Sequence, residues 1–510
     1  LYPVFFINIL ILFSAIPTFG GYWDMKNEMD KYEPPAYFQS LTETEQTQKI
    51  TKKENENFNN EKSAINSLKS DWEKSLKTFG DENSFYQPDA QALKKLESAS
   101  SDKDRTIGIL KKGFTLETLE IFTLLRNAGI KSARKKVRAE MESFTQVSNL
   151  DETLRQYTAF TEGLMNGIGP MRGKDSIKMK FPFPGVTALK GQVVNQSVTA
   201  AKENLEIARR DAITNAEKVY WNLVYIHKAK GIISETLEMF RRLESVANTR
   251  YKAGKTSFQD IIKVTIKTQI LEENLITLRE KQKNLESALV ALMDLPSGTG
   301  IGKPTSQNPG RKIQSLDSLY KKAGKNRQEL RRMQAMIAKM ENMIEIAETM
   351  ILPNFTLNLS YYEDEAAVQT GSFAMKPAFP ETTSASIGAG LPQKPWFGTN
   401  NAWLNQTRQT LDALKQDLKK AETATNNMVR NTWFELDKSI REAALFQNTI
   451  IDLSKSALDV STRGYESGSV SFADVIGSYT NWLNVRLSLA RKKSDIGVSR
   501  AELEKVVGKK

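Results

Sequence analysis

The sequence predicts a mainly α protein with a membrane β-barrel portion, internally duplicated so that each copy holds a long helical hairpin and a pair of strands. Three observations predict it. Tyr251-Lys-Ala-Gly254-Lys-Thr-Ser257-Phe258-Gln-Asp260-Ile261-Ile262 returns as Tyr465-Glu-Ser-Gly468-Ser-Val-Ser471-Phe472-Ala-Asp474-Val475-Ile476, with six identical positions. Thr115-Leu-Glu-Thr-Leu119 returns as Ser315-Leu-Asp-Ser-Leu319, and Ile130 falls opposite Leu330 at the same spacing of 200. Between the helical stretches lie short segments that alternate polar and apolar residues without a slip.

Each repeated stretch reads as a hairpin tip. Gly254 and Gly468 suit the left-handed position that ends a helix, and Ser257-x-x-Asp260 and Ser471-x-x-Asp474 form capping boxes that start the next. So short a connection makes the two helices antiparallel neighbours. A proline-free run of about 60 residues leads into each tip, from near Thr187 to Arg250 and from near Asn401 to Arg463; each is about 90 Å long as a helix. The returning helix of the first copy carries Ile261, Val264, Leu271, Leu275, Leu278, Leu285, Leu289 and Leu292 at alternating steps of three and four, a coiled-coil seam. The second copy keeps Val475, Val485, Leu489, Ile496, Leu503 and Val506, less regularly.

The alternating segments are residues 176–183, 354–361 and 384–391, with a weaker partner near 156–164. Period-two alternation bounded by prolines marks strands with one apolar and one polar face. Two per copy gives four per chain, too few to close a barrel. Open edges are not tolerated in hydrocarbon, so strands that span a membrane require several chains to share one barrel.

Residues 1–20 read as a secretory signal peptide: the apolar run Val4–Phe13 is too short to span a bilayer and is followed by small, turn-prone residues. The other reading is a buried strand or helix, since no basic residue precedes the run. Residues 21–104 form a polar extension, partly helical, of no legible role. The first repeat covers 105–300, a Pro/Gly-rich linker 301–314, and the second repeat 315–510.

Composition excludes several chemistries. The 510 residues are 40% hydrophobic and 26% charged, enough for a large core, and contain no cysteine, so disulfides and thiolate metal sites are absent. The net charge of +12 is spread over helices where basic and acidic residues alternate, and no nucleic-acid-binding motif accompanies it. His227 is the only histidine, which excludes a histidine-based triad or a multi-histidine metal centre; it reads as structural. Gly388-Ala-Gly390 lacks the third glycine and helix start of a dinucleotide loop. Glu363-Asp364-Glu365 reads as an exposed loop that could attract a cation. No enzymatic activity, metal or cofactor is expected. Aromatics flank the strands (Tyr361, Tyr362, Phe373, Phe379, Trp396, Phe397, Phe181 and Phe183), as an interfacial girdle does, or as ordinary core aromatics do.

The order of elements, with Asn326-Arg327-Gln328-Glu329-Leu330, Ile351-Leu352-Pro353-Asn354-Phe355, Phe183 to Gly191, Tyr220-Trp221-x-Leu223 and both tips, resembles the TolC-type outer-membrane efflux protein family from about residue 105 onward. The resemblance implies a homotrimer in the outer membrane, each chain giving four strands to one twelve-stranded barrel, with the long helices forming a periplasmic α-barrel. It implies a passive exit duct, fed by an inner-membrane transporter of RND or ABC type through a periplasmic adaptor (membrane fusion) protein. Tyr251, Gly254, Ser257, Asp260, Tyr465, Gly468, Ser471 and Asp474 would then be the adaptor-docking and gating tips. Family members often carry a second acid one turn after the position of Asp474; here it is Gly477, so only Asp474 is carried over and the cation-binding ring is not. The partners would be a trimer of this chain, adaptor, transporter and outer-membrane lipid, with no nucleic acid. The rival reading is a soluble basic coiled-coil scaffold, including one that binds nucleic acid.

Overall fold

In the computed structural model the described residues are 44–77, 84–165, 178–180, 186–254, 256–305, 307–349, 355–359, 385–389 and 399–510. They fall into two units. One holds three short strands, β1 Lys178–Lys180, β2 Phe355–Leu359 and β3 Ala385–Ala389. These form one antiparallel sheet in the order β1-β2-β3. Its register aligns Met179 with Leu357 and Leu357 with Ile387, while Lys180 meets Thr356 and Thr356 meets Gly388. Apolar positions therefore pair with apolar positions across both repeats, as the alternation requires.

The strand expected near 156–164 is not one. Those residues lie inside helix α5, Ala128–Met165. Val137, Met141 and Phe144 are buried on it, and Val147, Leu150, Leu154, Tyr157 and Leu164 continue the same helical spacing; a period near 3.6 outweighs a short apparent alternation. The signal peptide, the loop acids Glu363 to Glu365 and the flanking aromatics lie outside the described residues.

The second unit, residues 62–149, 186–351 and 396–510, is helical. The extension contributes α1, Thr44–Lys77, and α2, Ala90–Ser100, followed by α3, Lys103–Lys112; α1 and α5 each fall partly in the first unit. The first repeat continues with α4, Leu116–Arg126, α5, then α6, Val186–Lys252, and α7, Phe258–Leu292. The second gives α8, Leu316–Asn326, α9, Gln328–Thr349, α10, Thr399–Leu445, a π turn at Phe446–Ile450, α11, Ile451–Ser467, and α12, Phe472–Val507. α4 and α8 start 200 residues apart, the spacing of the sequence repeat. At 67 residues, α6 is about 100 Å long. Among the described residues no helix is long and apolar enough to cross a membrane.

The duplication recurs in how the helices dock. At the end of α7, Asn127 Nδ2 donates to the Leu292 carbonyl and Arg126 to the Met293 and Asp294 carbonyls. At the end of α12, Arg327 donates to the Val506 carbonyl and Gln328 Nε2 to that of Gly508. Both devices satisfy carbonyls that a helix end leaves without partners. Gly508 is required there: its φ is +81°, and a Cβ would sit 2.6 Å from the Asn326 carbonyl oxygen.

Four long elements form a layer in the order α7, α6, α12, α10–α11. Below the tips, Phe240 and Leu237 of α6, Val264 and Leu271 of α7, and Phe472, Ile476 and Leu483 of α12 share one core. Higher up, Tyr220 and Trp221 pack with Phe114, Leu119 and Leu289. Each fully buried large apolar side chain contributes about 1.5–3 kcal/mol. α12 lies between two neighbours and buries two faces, which explains why its seam is less regular than that of α7.

Candidate functional site

The two tips are the candidate site. α6 ends at Lys252, and Gly254 follows with φ +68°. Ser257 then caps α7 by accepting from the Gln259 amide at 3.1 Å. Asp260 does not complete a reciprocal box; its carboxylate accepts from the Thr256 hydroxyl at 2.7 Å. The second tip is tighter. Gly468 is left-handed with φ +80°, and the amides of Gly468, Ser469 and Val470 fold back on the Gly464 and Tyr465 carbonyls. Ser471 accepts from the Asp474 amide at 3.2 Å and donates to its carboxylate at 2.7 Å. Both glycines thus occupy the left-handed conformation their positions predict.

Each tip is stapled by the same aromatic pair. Tyr251 and Phe258 stand 5.6 Å apart at 48°, Tyr465 and Phe472 5.1 Å apart at 48°. The pairs differ in burial: Tyr251 and Phe258 are exposed, while Phe472 is buried. The tips also touch each other, because the Arg250 guanidinium lies over the Tyr465 ring. The structure thus brings the expected residues of both tips to one place and adds Arg250, which carries no local signal in the sequence.

A second group was missed by the sequence reading. On α7, Phe258, Ile262, Ile266 and Ile270 are exposed at steps of four, opposite the buried seam of Val264 and Leu271. On the far edge of the layer Leu445, Leu453 and Val460 are exposed, the last at 69%. The four-residue spacing of isoleucines was the signal; without the layer order it reads as more of the same seam. Gly477 faces open space.

His227 lies half-buried in α6, with Nε2 lacking a hydrogen-bond partner among the described residues; burial lowers its pKa, aided by Lys230. No cluster among the described residues has the make-up of a metal site. An anchoring network joins the repeats at the Asn326–Leu330 motif. Arg210 of α6 is buried and makes two hydrogen bonds to Glu329, at 2.7 and 2.8 Å, with Gln328 and Asp211 beside it. Burial alone would raise the Glu329 carboxyl; the hydrogen-bonded Arg210, helped by Arg327, outweighs it and holds the pKa at about 2.

Comparisons with known proteins bear on the fold. Residues 319–509 match the family model described as outer membrane efflux protein. No curated protein matches in sequence. Among solved structures, the fold is similar to that of the outer membrane protein VceC of Vibrio cholerae, with a TM-score of 0.56, 12% identity, and coverage of 77% of this chain and 96% of that one. It is similar to CusC, with a TM-score of 0.60, 12% identity, and coverage of 79% and 94%. The open-state MtrE outer membrane channel of Neisseria gonorrhoeae gives 0.56, 14%, 77% and 89%. At these identities the likeness is one of fold.

Proposed function

We propose that this chain, whose residues 319–509 match the outer membrane efflux protein family model, belongs to that family and that three copies form a passive exit duct across the outer membrane. The observation that carries the proposal is the four-helix layer with apolar residues exposed at both edges: Phe258, Ile262, Ile266 and Ile270 on α7, Leu453 and Val460 on α11. Contiguous exposed apolar surface marks an interface. The two edges differ in sequence, so copies join head to tail, the arrangement that closes into a ring. The three-stranded sheet, with apolar positions in register, is each copy's share of a barrel that no single chain can close.

In this reading the helical layers line a periplasmic tunnel. The paired tips, with Tyr251, Gly254, Ser257, Asp260, Tyr465, Gly468, Ser471 and Asp474, meet the periplasmic adaptor and close the duct at rest. The energy for transport comes from an inner-membrane transporter, and the duct itself performs no reaction. Native mass spectrometry of detergent-extracted protein tests the assembly. Three copies are expected, and an Ile266→Glu, Val460→Glu double variant is expected to release monomers. A wild-type monomer under the same extraction would refute the proposal.

A further inference from the structure

Lys510, in the segment that follows α12, inserts its ammonium between two buried carboxylates, Glu120 of α4 and Glu217 of α6, and hydrogen-bonds both. Both carboxylate side chains are almost fully buried, at 4% and 3% exposure. The Lys510 amide donates to the Phe85 carbonyl at 3.0 Å, and its ammonium lies 5.2 Å from the Tyr86 ring. Phe85 and Tyr86 belong to the extension, so one residue of the second repeat ties the first repeat to the polypeptide that precedes it. Glu504 and Arg500 of α12 and Glu117 of α4 complete the charged surroundings.

The extension is held elsewhere by packing and by single polar contacts. Ile65 of α1 lies so close to α6 that a Cβ on Gly191 would come within 2.8 Å of its side chain. Trp72 Nε1 donates to Asn195 at 2.8 Å, and Lys69 pairs with Glu142 at 2.9 Å on an exposed surface. The Phe85 amide donates to Glu206 at 3.1 Å.

We propose that residues 62–77 and 84–100 of the extension form a strap laid across the first repeat and that Lys510 is its ionic latch, seated in a site made for one positive charge. Two carboxylates this deep cannot both remain ionised without a cation between them, because unpaired buried charge carries a heavy desolvation cost. Burial pushes the Glu120 carboxyl up and the neighbouring Glu217 adds to that rise, while the Lys510 charge pulls it back down. Burial opposes the Lys510 charge, but the two carboxylates outweigh it and raise its pKa.

Hydrogen exchange on the full-length protein tests this, read at residues 84–100 and, as an internal control, at residues 258–270. Lys510→Met is expected to speed exchange at 84–100 at least tenfold while leaving 258–270 unchanged, and Lys510→Arg is expected to keep most of the protection. Adding Glu120→Gln to Lys510→Met removes the carboxyl that burial would otherwise force to take up a proton, and is expected to restore protection. Unchanged exchange in Lys510→Met would overturn the latch. So would a loss that Glu120→Gln fails to reverse, since that pattern belongs to lost packing rather than to charge.

Discussion

The guanidinium of Arg250 lies 4.2 Å from the centre of the Tyr465 ring, joining the last turn of α6 to the last turn of α11. It is a direct contact between the two hairpin tips, and it sits beside the aromatic pair that staples the second one. The Tyr465 hydroxyl is buried and has no hydrogen-bond partner among the described residues, so it is the ring face that the contact uses.

Arg250→Leu is therefore expected to cost about 0.5–1 kcal/mol of tip stability. A double-mutant cycle with Tyr465→Leu, followed by chemical denaturation, measures it; a coupling of zero would remove the contact from the account. Tyr465→Phe keeps the ring and removes an unpartnered buried hydroxyl, and stability is expected to hold or rise by about 1 kcal/mol. In planar bilayers Arg250→Leu is expected to open more often than wild type.

Gly254→Val and Gly468→Val are each expected to cost about 1–2 kcal/mol, through backbone strain alone. A Cβ at either position meets nothing within 4 Å, so Asn, which tolerates the left-handed region, should be cheaper at both. Gly464→Ala differs, because its Cβ would fall 2.5 Å from the Val470 side chain. Thermal melts of the three sets separate strain from collision, and export that continues unchanged in the double valine variant would count against a role for the tips.

Gly497→Val is expected to be the most damaging glycine change in the helical core. A Cβ there would meet the Trp221 ring at 2.2 Å, and the Ser494 hydroxyl already holds the Trp221 carbonyl at 2.7 Å. Overpacking of this kind costs about 1–3 kcal/mol or more. Gly497→Val with Trp221→Leu should recover part of the loss in a denaturant titration.

Stability should fall in acid through the Glu329–Arg210 pair. Glu329 is depressed from 4.5 to about 2, so its contribution is complete above pH 4.5 and is lost as pH falls toward 2. Glu329→Gln should remove that part of the pH dependence and, by leaving Arg210 with Asp211 as its remaining carboxylate partner, cost about 1–3 kcal/mol at neutral pH. Unfolding midpoints measured from pH 7 down to pH 2 check both; a parallel pair of curves would refute the assignment.

Local chemistry was enough for the sequence to determine the long helices, their glycine-ended tips, the buried seam of α7 and three of the alternating strands. Caps, left-handed glycines and hydrophobic period all act within a few residues, and each leaves its trace there. The strand expected near 156–164 failed where two periods competed over a short span, and the longer helical one prevailed. Tertiary structure alone decided that α7 and α11 are edges, which turns Ile262, Ile266 and Ile270 from a broad seam into an exposed stripe. It alone set Arg250 over Tyr465, Gly508 against Asn326, and Lys510 between Glu120 and Glu217. A sequence records which positions are apolar or charged; which distant segment comes to cover or pair with them depends on packing the whole chain.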